Sequence, residues 1–153
     1  MFIGIDFGIT NTDIGILDGK KNNFFSQASS GKDIELSLLK EILMHNNINL
    51  SAIQSIGVTG GKSSDLPESL EDIKIIKVNE IDAIGLGAKK LYGIKDKPAL
   101  IVSAGTGTAC VHVQGNDCNH LGGIAVGGGM LEGLGSLLFK NSNGLEINEF
   151  ATQ

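Results

Sequence analysis

The first apolar run, residues 2–7 (Phe-Ile-Gly-Ile-Asp-Phe), is short and bounded by glycine, and it reads as a buried strand. A second run at 13–18, a Gly19-Lys20 turn and a third run near 23–28 extend it into a three-stranded meander. At Asp33 the period changes. Ile34, Leu38, Leu39, Ile42 and Leu43 keep helical spacing, Asp33 stands where a cap would, and Asn46-Asn47 closes the segment, so an amphipathic helix is expected. Residues 53–58 and 73–78 then read as strands. Residues 80–92 read as a helix that carries Ile81, Ile84 and Leu91 beside the small Ala83, Gly85, Gly87 and Ala88, which suit close packing. Three strands, a helix, a strand, a short connection, a strand and a helix fit an α/β domain, an open mixed sheet with helices on its faces.

After Lys97-Pro98 the pattern restarts. Strands are expected at 99–103 and 109–114, a turn at Gly115-Asn116-Asp117, a short strand near 118–121 and a Gly-led helix at about 130–140. The second half opens as the first does and stops after about half as many elements. This organisation predicts a first subdomain over 1–96 and the start of a second, incomplete copy over 97–153. The segment 146–153 reads as a helix without a C-terminal Gly or Asn cap, so the chain is expected to be a fragment.

Composition narrows the classes. A chain of 153 residues with 41% apolar content can bury one proper core, and its 22 glycines lie inside apolar segments, which favours close backbone approach over disorder. The net charge of -5 with no dense Lys/Arg cluster excludes a nucleic-acid surface. No run of about 18 apolar residues or basic leader is present, which points to a cytoplasmic protein with no membrane partner. Cys110 and Cys118, flanked by His112 and His120, lack the Cys-x2-4-Cys spacing of a zinc site and read as reduced structural thiols.

The chemistry sits in two loops. Asp6-Phe7-Gly8-Ile9-Thr10-Asn11-Thr12 follows a buried strand and enters a hairpin, so backbone N–H groups and Thr hydroxyls there can face a phosphate while Asp6 sits by a metal ion. An ordinary glycine-containing hairpin would look similar. The second loop, Ser103-Ala104-Gly105-Thr106-Gly107-Thr108, repeats the arrangement about a hundred residues on, and the pair reads as a two-lobed phosphate clamp. A Rossmann or P-loop reading fails, because each needs its Gly-rich loop to open a helix.

These paired loops resemble the two phosphate motifs of the actin, hexokinase and heat-shock chaperone superfamily, whose ribonuclease H-like subdomains hold ATP between them. Three further segments carry a narrower resemblance, to the N-terminal half of the type II pantothenate kinases. They are Val58-Thr59-Gly60-Gly61, the run from Val78 to Ala83 with Gly85 and Gly87 following, and Leu121 to Gly135 with its Gly122-Gly123 and Gly127-Gly128-Gly129.

The resemblance implies ATP and Mg2+ as cofactors and pantothenate as acceptor. It implies phosphate contacts from Asp6, Gly8, Thr10, Asn11, Thr12, Gly105, Thr106, Gly107 and Thr108, with Asp6 at the metal. Substrate contacts fall to His120, Gly122, Gly123, Gly127, Gly128 and Gly129. Glu80 matches the catalytic base, and Asp82, two positions on and off its face of the helix, is the competing choice. The Gly127-Gly128-Gly129 run is expected to open a helix with free N–H groups that suit an anion, alongside tight packing. A homodimer, or pairing with a complementary half, follows from the same resemblance and from an unfinished sheet edge.

Two positions depart from the family pattern: Asp13 stands where a Lys is usual and His120 where an Arg is usual, with Lys62 as a possible substitute cation. They leave open a truncated enzyme with weak or no activity by itself, a nucleotide-binding or interaction module without kinase chemistry, and another small-molecule kinase such as one acting on amino sugars.

Overall fold

The structure, a computed structural model, describes residues 1–19, 21–61 and 63–152. Lys20 and Lys62, named above for a turn and a substitute cation, lie outside the described residues. Contacts divide the chain into two units, Met1–Glu80 and Ile81–Gln153.

The first unit is built on a six-stranded mixed sheet in the order β3-β2-β1-β4-β6-β5. Its strands are β1 (Phe2–Phe7), β2 (Asn11–Asp18), β3 (Lys21–Ala28), β4 (Ser55–Thr59), β5 (Ser69–Leu70) and β6 (Ile73–Lys77). The expected meander is present: β1, β2 and β3 pair antiparallel in sequence order, and β4 and β6 then add in parallel on the other side of β1. The two-residue β5 was not foreseen, being too short for periodicity to register.

Alternation along the strands makes the core. Ile3, Ile5 and Phe7 of β1, Ile14 of β2, Ile56 and Val58 of β4 and Ile73 and Ile75 of β6 are buried. Helix α1 (Leu36–His45) supplies Leu38, Leu39, Ile42 and Leu43 to the same cluster. Each such side chain contributes about 1.5–3 kcal/mol relative to an exposed one, so this cluster dominates the unit's stability. The opposite face of the central strands carries a row of glycines, Gly15, Gly4 and Gly57, in register on β2, β1 and β4. Phe24 lies over Gly15, whose added Cβ would come 3.4 Å from the ring.

Asp33 does not cap α1. The helix starts at Leu36 after an extended Glu35 whose side chain makes no capping bond. Ile34 packs against the core and against Gly61, which keeps the chain extended past Asp33. The other end matches expectation: Asn46 Nδ2 donates to the Ile42 carbonyl at 2.9 Å and Asn47 takes positive φ.

The second unit holds α2 (Glu80–Leu91, whose first residue falls in the first unit) and a three-stranded antiparallel sheet of β7 (Ala99–Ala104), β8 (Thr108–Gln114) and β9 (Asp117–Ile124). Helices α3 (Gly128–Phe139) and α4 (Gly144–Ala151) follow. β9 runs longer than expected because a bulge at Leu121, between the pairs Val111–His120 and Cys110–Gly122, lets it continue past the glycines. Among the described residues of this unit, Val111 and Val113 of β8 are the buried large apolar side chains, and Val113 packs on Gly85 of α2, where an added Cβ would come within 2.9 Å of its methyl. Among the described residues, no helix is long and apolar enough to cross a membrane.

Leu39→Ala, at a side chain with 0% exposure, is expected to cost about 2–5 kcal/mol. Leu137→Ala, at 77% exposure, should stay within about 0.5 kcal/mol. Guanidinium unfolding midpoints of the two variants check the contrast.

Candidate functional site

In the first unit, β1 delivers Asp6 to the strand end and the chain turns back over Gly8, Ile9 and Thr10 into β2. Glycine is required at position 8, because a Cβ there would lie 2.6 Å from the Asn11 carbonyl. β2 begins at Asn11, two residues earlier than expected, so Asn11 and Thr12 belong to the ladder and face Ala28 and Gln27. Thr12 is 5% exposed and its hydroxyl lies 3.4 Å from Ser29 Oγ. Ser29 Oγ in turn donates to the Gly8 carbonyl at 2.7 Å, and its N–H donates to the Thr10 carbonyl at 2.9 Å. The loop is thus braced from behind by Thr12 and Ser29, which leaves Gly8 to Thr10 as its exposed rim.

Asp6 sits at the mouth of this loop. Although the residue reaches solvent, its carboxyl is held above the ordinary value of 3.8, first by partial burial, then by the charge of Glu80 and then by that of Asp13. The end of β1 therefore gathers three acidic residues, from β1, from its ladder neighbour on β2 and from the first position of α2. At that helix start the backbone dipole favours a carboxylate, which accounts for Glu80 locally. The competing Asp82 acts elsewhere: its charge falls on Cys118 in the second unit. The Asp6 carboxylate is a hard oxygen donor of the kind Mg2+ uses, an ion that binds through one or two carboxylates and fills its remaining positions with water and phosphate.

The turn after β4 completes this end of the sheet. Gly60 and Gly61 both take positive φ, at 74° and 47°. A Cβ on Gly60 would meet Asp6 Oδ1, and would lie 2.8 Å from the Phe7 carbonyl. The Thr59-Gly60-Gly61 segment had been singled out in the sequence only as a family likeness; the fold places it against Asp6.

In the second unit the loop Gly105-Thr106-Gly107 joins β7 to β8, as expected, and the N-terminus of α3 is seated on it. Gly129 N–H donates to the Gly105 carbonyl at 3.2 Å and Met130 N–H to that of Thr106 at 3.1 Å. Of the N–H groups expected to be free at Gly127-Gly128-Gly129, that of Gly129 is therefore taken. The run does open the helix, with Gly127 as its N-cap, but the loop's own carbonyls take N–H groups that an anion would have used. The contact demands glycine, since a Cβ on Gly127 would lie 2.6 Å from the Gly105 carbonyl and one on Gly107 3.0 Å from that of Ile124. Thr108 spends its hydroxyl on the Val126 carbonyl at 2.7 Å.

Gly122 takes a φ of 144° at the bulge, and Gly123 passes close to the Thr108 carbonyl. His120 is exposed on β9 opposite Val111.

The cysteines do not assemble with the histidines. Cys118 pairs with Val113 and faces Gly85 of α2, while His112, the next residue along β8, points to the other face. Burial and Asp82 push the Cys118 thiol up, which keeps it protonated and a poor metal ligand. Among the described residues no group of three or more His, Cys, Asp or Glu could hold a metal ion by itself.

The class of protein follows from comparison. The fold is that of the actin-like ATPases and kinases. The activator of 2-hydroxyisocaproyl-CoA dehydratase from Clostridium difficile, solved with bound ADPNP, superposes over 91% of this chain and 52% of its own with a TM-score of 0.63 at 16% identity. A Porphyromonas gingivalis protein described as an N-acetylglucosamine kinase superposes over 92% of this chain and 57% of its own at TM-score 0.62 and 22% identity. No family model matches the chain. In sequence it is similar to the type II pantothenate kinase of Oceanobacillus iheyensis, at 30% identity over 99% of this chain and 54% of the relative. It is likewise similar to that of Staphylococcus haemolyticus, at 30% identity over 90% of this chain and 49% of the relative. The resemblance read from the motifs is borne out, and the chain spans about half the length of the curated relatives it matches.

Two outcomes follow from this geometry. Because the folded state raises the Asp6 pKa, the native chain holds that proton more tightly than the unfolded one; the stabilisation is complete below pH 3.8 and is lost as pH rises through the raised value. Asp6→Asn is therefore expected to raise the thermal midpoint at pH 7, with the gain vanishing below the ordinary carboxylate pKa, as read by calorimetry across pH. Gly127→Ala is expected to lower stability by about 1–3 kcal/mol through overpacking against Gly105, measurable by urea unfolding.

Proposed function

We propose that the chain is the phosphate-handling part of an ATP-dependent, cytoplasmic pantothenate kinase, which converts pantothenate to 4'-phosphopantothenate at the first step of coenzyme A biosynthesis. The observation that carries this reading is the charge of Glu80 felt at Asp6, beside the first glycine loop, in a chain similar over 99% of its length to a type II pantothenate kinase.

In this reading Glu80 accepts the proton of the acceptor's primary alcohol as that oxygen forms its bond to the γ-phosphorus of ATP, and the bond to the leaving ADP breaks. Each glycine loop, Gly8 to Thr10 in the first unit and Gly105 to Gly107 in the second, is by itself a candidate to hold phosphate oxygens through backbone N–H groups and a Thr hydroxyl. Asp6 would hold Mg2+, with Glu80 and Asp13 supplying the surrounding negative charge. When bound, Mg2+ neutralises charge on the phosphate oxygens. The glycines of β9 and α3, with His120, are the candidate acceptor contacts. His120 stands where a bidentate guanidinium is usual and offers a single imidazole, so its hold on an anion is weaker.

A second reading, a nucleotide-binding module without kinase chemistry, is favoured by Asp13. Its charge adds to that of Asp6 where a lysine would have offset it.

Transfer of radiolabelled phosphate from ATP separates the readings. The chain by itself is expected to label pantothenate only weakly, and Glu80→Gln to lower the rate by about 10²–10⁴-fold while nucleotide still binds. Label on N-acetylglucosamine but not on pantothenate would overturn the acceptor. Nucleotide binding with no acceptor labelled would favour the module.

A further inference from the structure

We propose that Thr59 is a positioning residue for Asp6, its hydroxyl placed to donate to the Asp6 carboxylate when that carboxylate holds a divalent cation together with nucleotide phosphate. The inference rests on the phosphate-site reading above and adds to it a residue for which neither the sequence motifs nor the relatives supply a role.

Thr59 is 9% exposed, and its Oγ1 is the buried side-chain polar atom without a hydrogen-bond partner among the described residues. A buried hydroxyl left unsatisfied costs about 1–3 kcal/mol, and valine would fill the same volume without that cost. A pure packing role therefore does not account for threonine here.

The ladder shows what the hydroxyl can reach. Asp6 and Thr59 are direct partners in the parallel pairing of β1 with β4, so their side chains leave the same face of the sheet on strands about 4.8 Å apart. Immediately after Thr59 the chain turns away through Gly60, which has no side chain to place between them; the Asp6 carboxylate lies against that glycine, where a Cβ would strike Oδ1. Threonine is branched at Cβ and restricted at χ1, so its hydroxyl has few directions open to it before any ligand arrives.

The chemistry favours a neutral donor at this position. Asp6 must be aimed and yet remain negatively charged toward a cation. A lysine or arginine would compete with the cation for the carboxylate, whereas a hydroxyl fixes one carboxylate oxygen and leaves the charge in place. In the ligand-free chain Thr59 is unpaired. In the proposed bound state its hydrogen bond forms, so the cost in the first state becomes affinity in the second.

Calorimetric binding of a non-hydrolysable ATP analogue, with Mg2+ and with EDTA, tests this on wild type, Thr59→Val and Thr59→Ser. Thr59→Val is expected to match or exceed wild type in ligand-free thermal stability. It should bind the analogue about 10-fold more weakly with Mg2+, the size of a hydrogen bond to a charged group, and equally with EDTA. Thr59→Ser should keep affinity within about 3-fold of wild type, because it keeps the donor. Equal Mg2+-dependent affinity of wild type and Thr59→Val would overturn the positioning role alone. So would a loss in Thr59→Val that appears equally with EDTA and tracks a fall in stability, since that is the behaviour of a packing residue. Failure of wild type to bind the analogue under both conditions would overturn the nucleotide reading and this inference with it.

Discussion

The alternation of β1 between two neighbouring strands governs the first unit. Ile3, Ile5 and Phe7 are driven to one face by the core they share with α1, and this forces Phe2, Gly4 and Asp6 to the other. A slip of one residue would bury the Asp6 carboxylate and expose three large side chains, so the register is strongly fixed. Once it is fixed, Asp13 on β2 and Thr59 on β4 stand beside Asp6 as ladder partners, and the Gly8 turn begins one residue past the buried Phe7. The acidic mouth of the loop is thus a consequence of hydrophobic burial on the opposite face.

The two glycine loops, similar in sequence, are held by different means. Side-chain hydroxyls brace the first, with Thr12 and Ser29 behind it and the Gly8 carbonyl as the final acceptor. Backbone holds the second, whose carbonyls receive two N–H groups from the first turn of α3, those of Gly129 and Met130. That arrangement leaves no room for a side chain at Gly127, Gly107 or Gly123. Much of the glycine content of this region is therefore a requirement of backbone packing, which seats the loop on a helix start as one rigid piece.

Stability and chemistry pull against each other at Asp6. Gathering it with Glu80 and Asp13 disfavours its charged form, and the unpaired Thr59 hydroxyl adds a further cost. Such local costs are tolerable because the aliphatic cluster beneath is large and close by.

The sequence alone determined the strands with strong alternation, the helices α1 and α2, the two glycine loops and the helix start at Gly127. These were legible because apolar period and turn chemistry are local properties, carried by residues a few positions apart. Tertiary structure alone decided which groups meet. Glu80 acts on Asp6 while Asp82 acts on Cys118, a distinction that two positions on one helix announce only once both neighbours are in place. The uncapped Asp33, the bulge at Leu121, the use of the α3 N–H groups by the loop and the placement of Thr59 beside Asp6 were likewise invisible in the chain. Each depends on a carbonyl, a hydroxyl or a carboxylate brought close by pairing between distant segments, and no local pattern of residues encodes that distance.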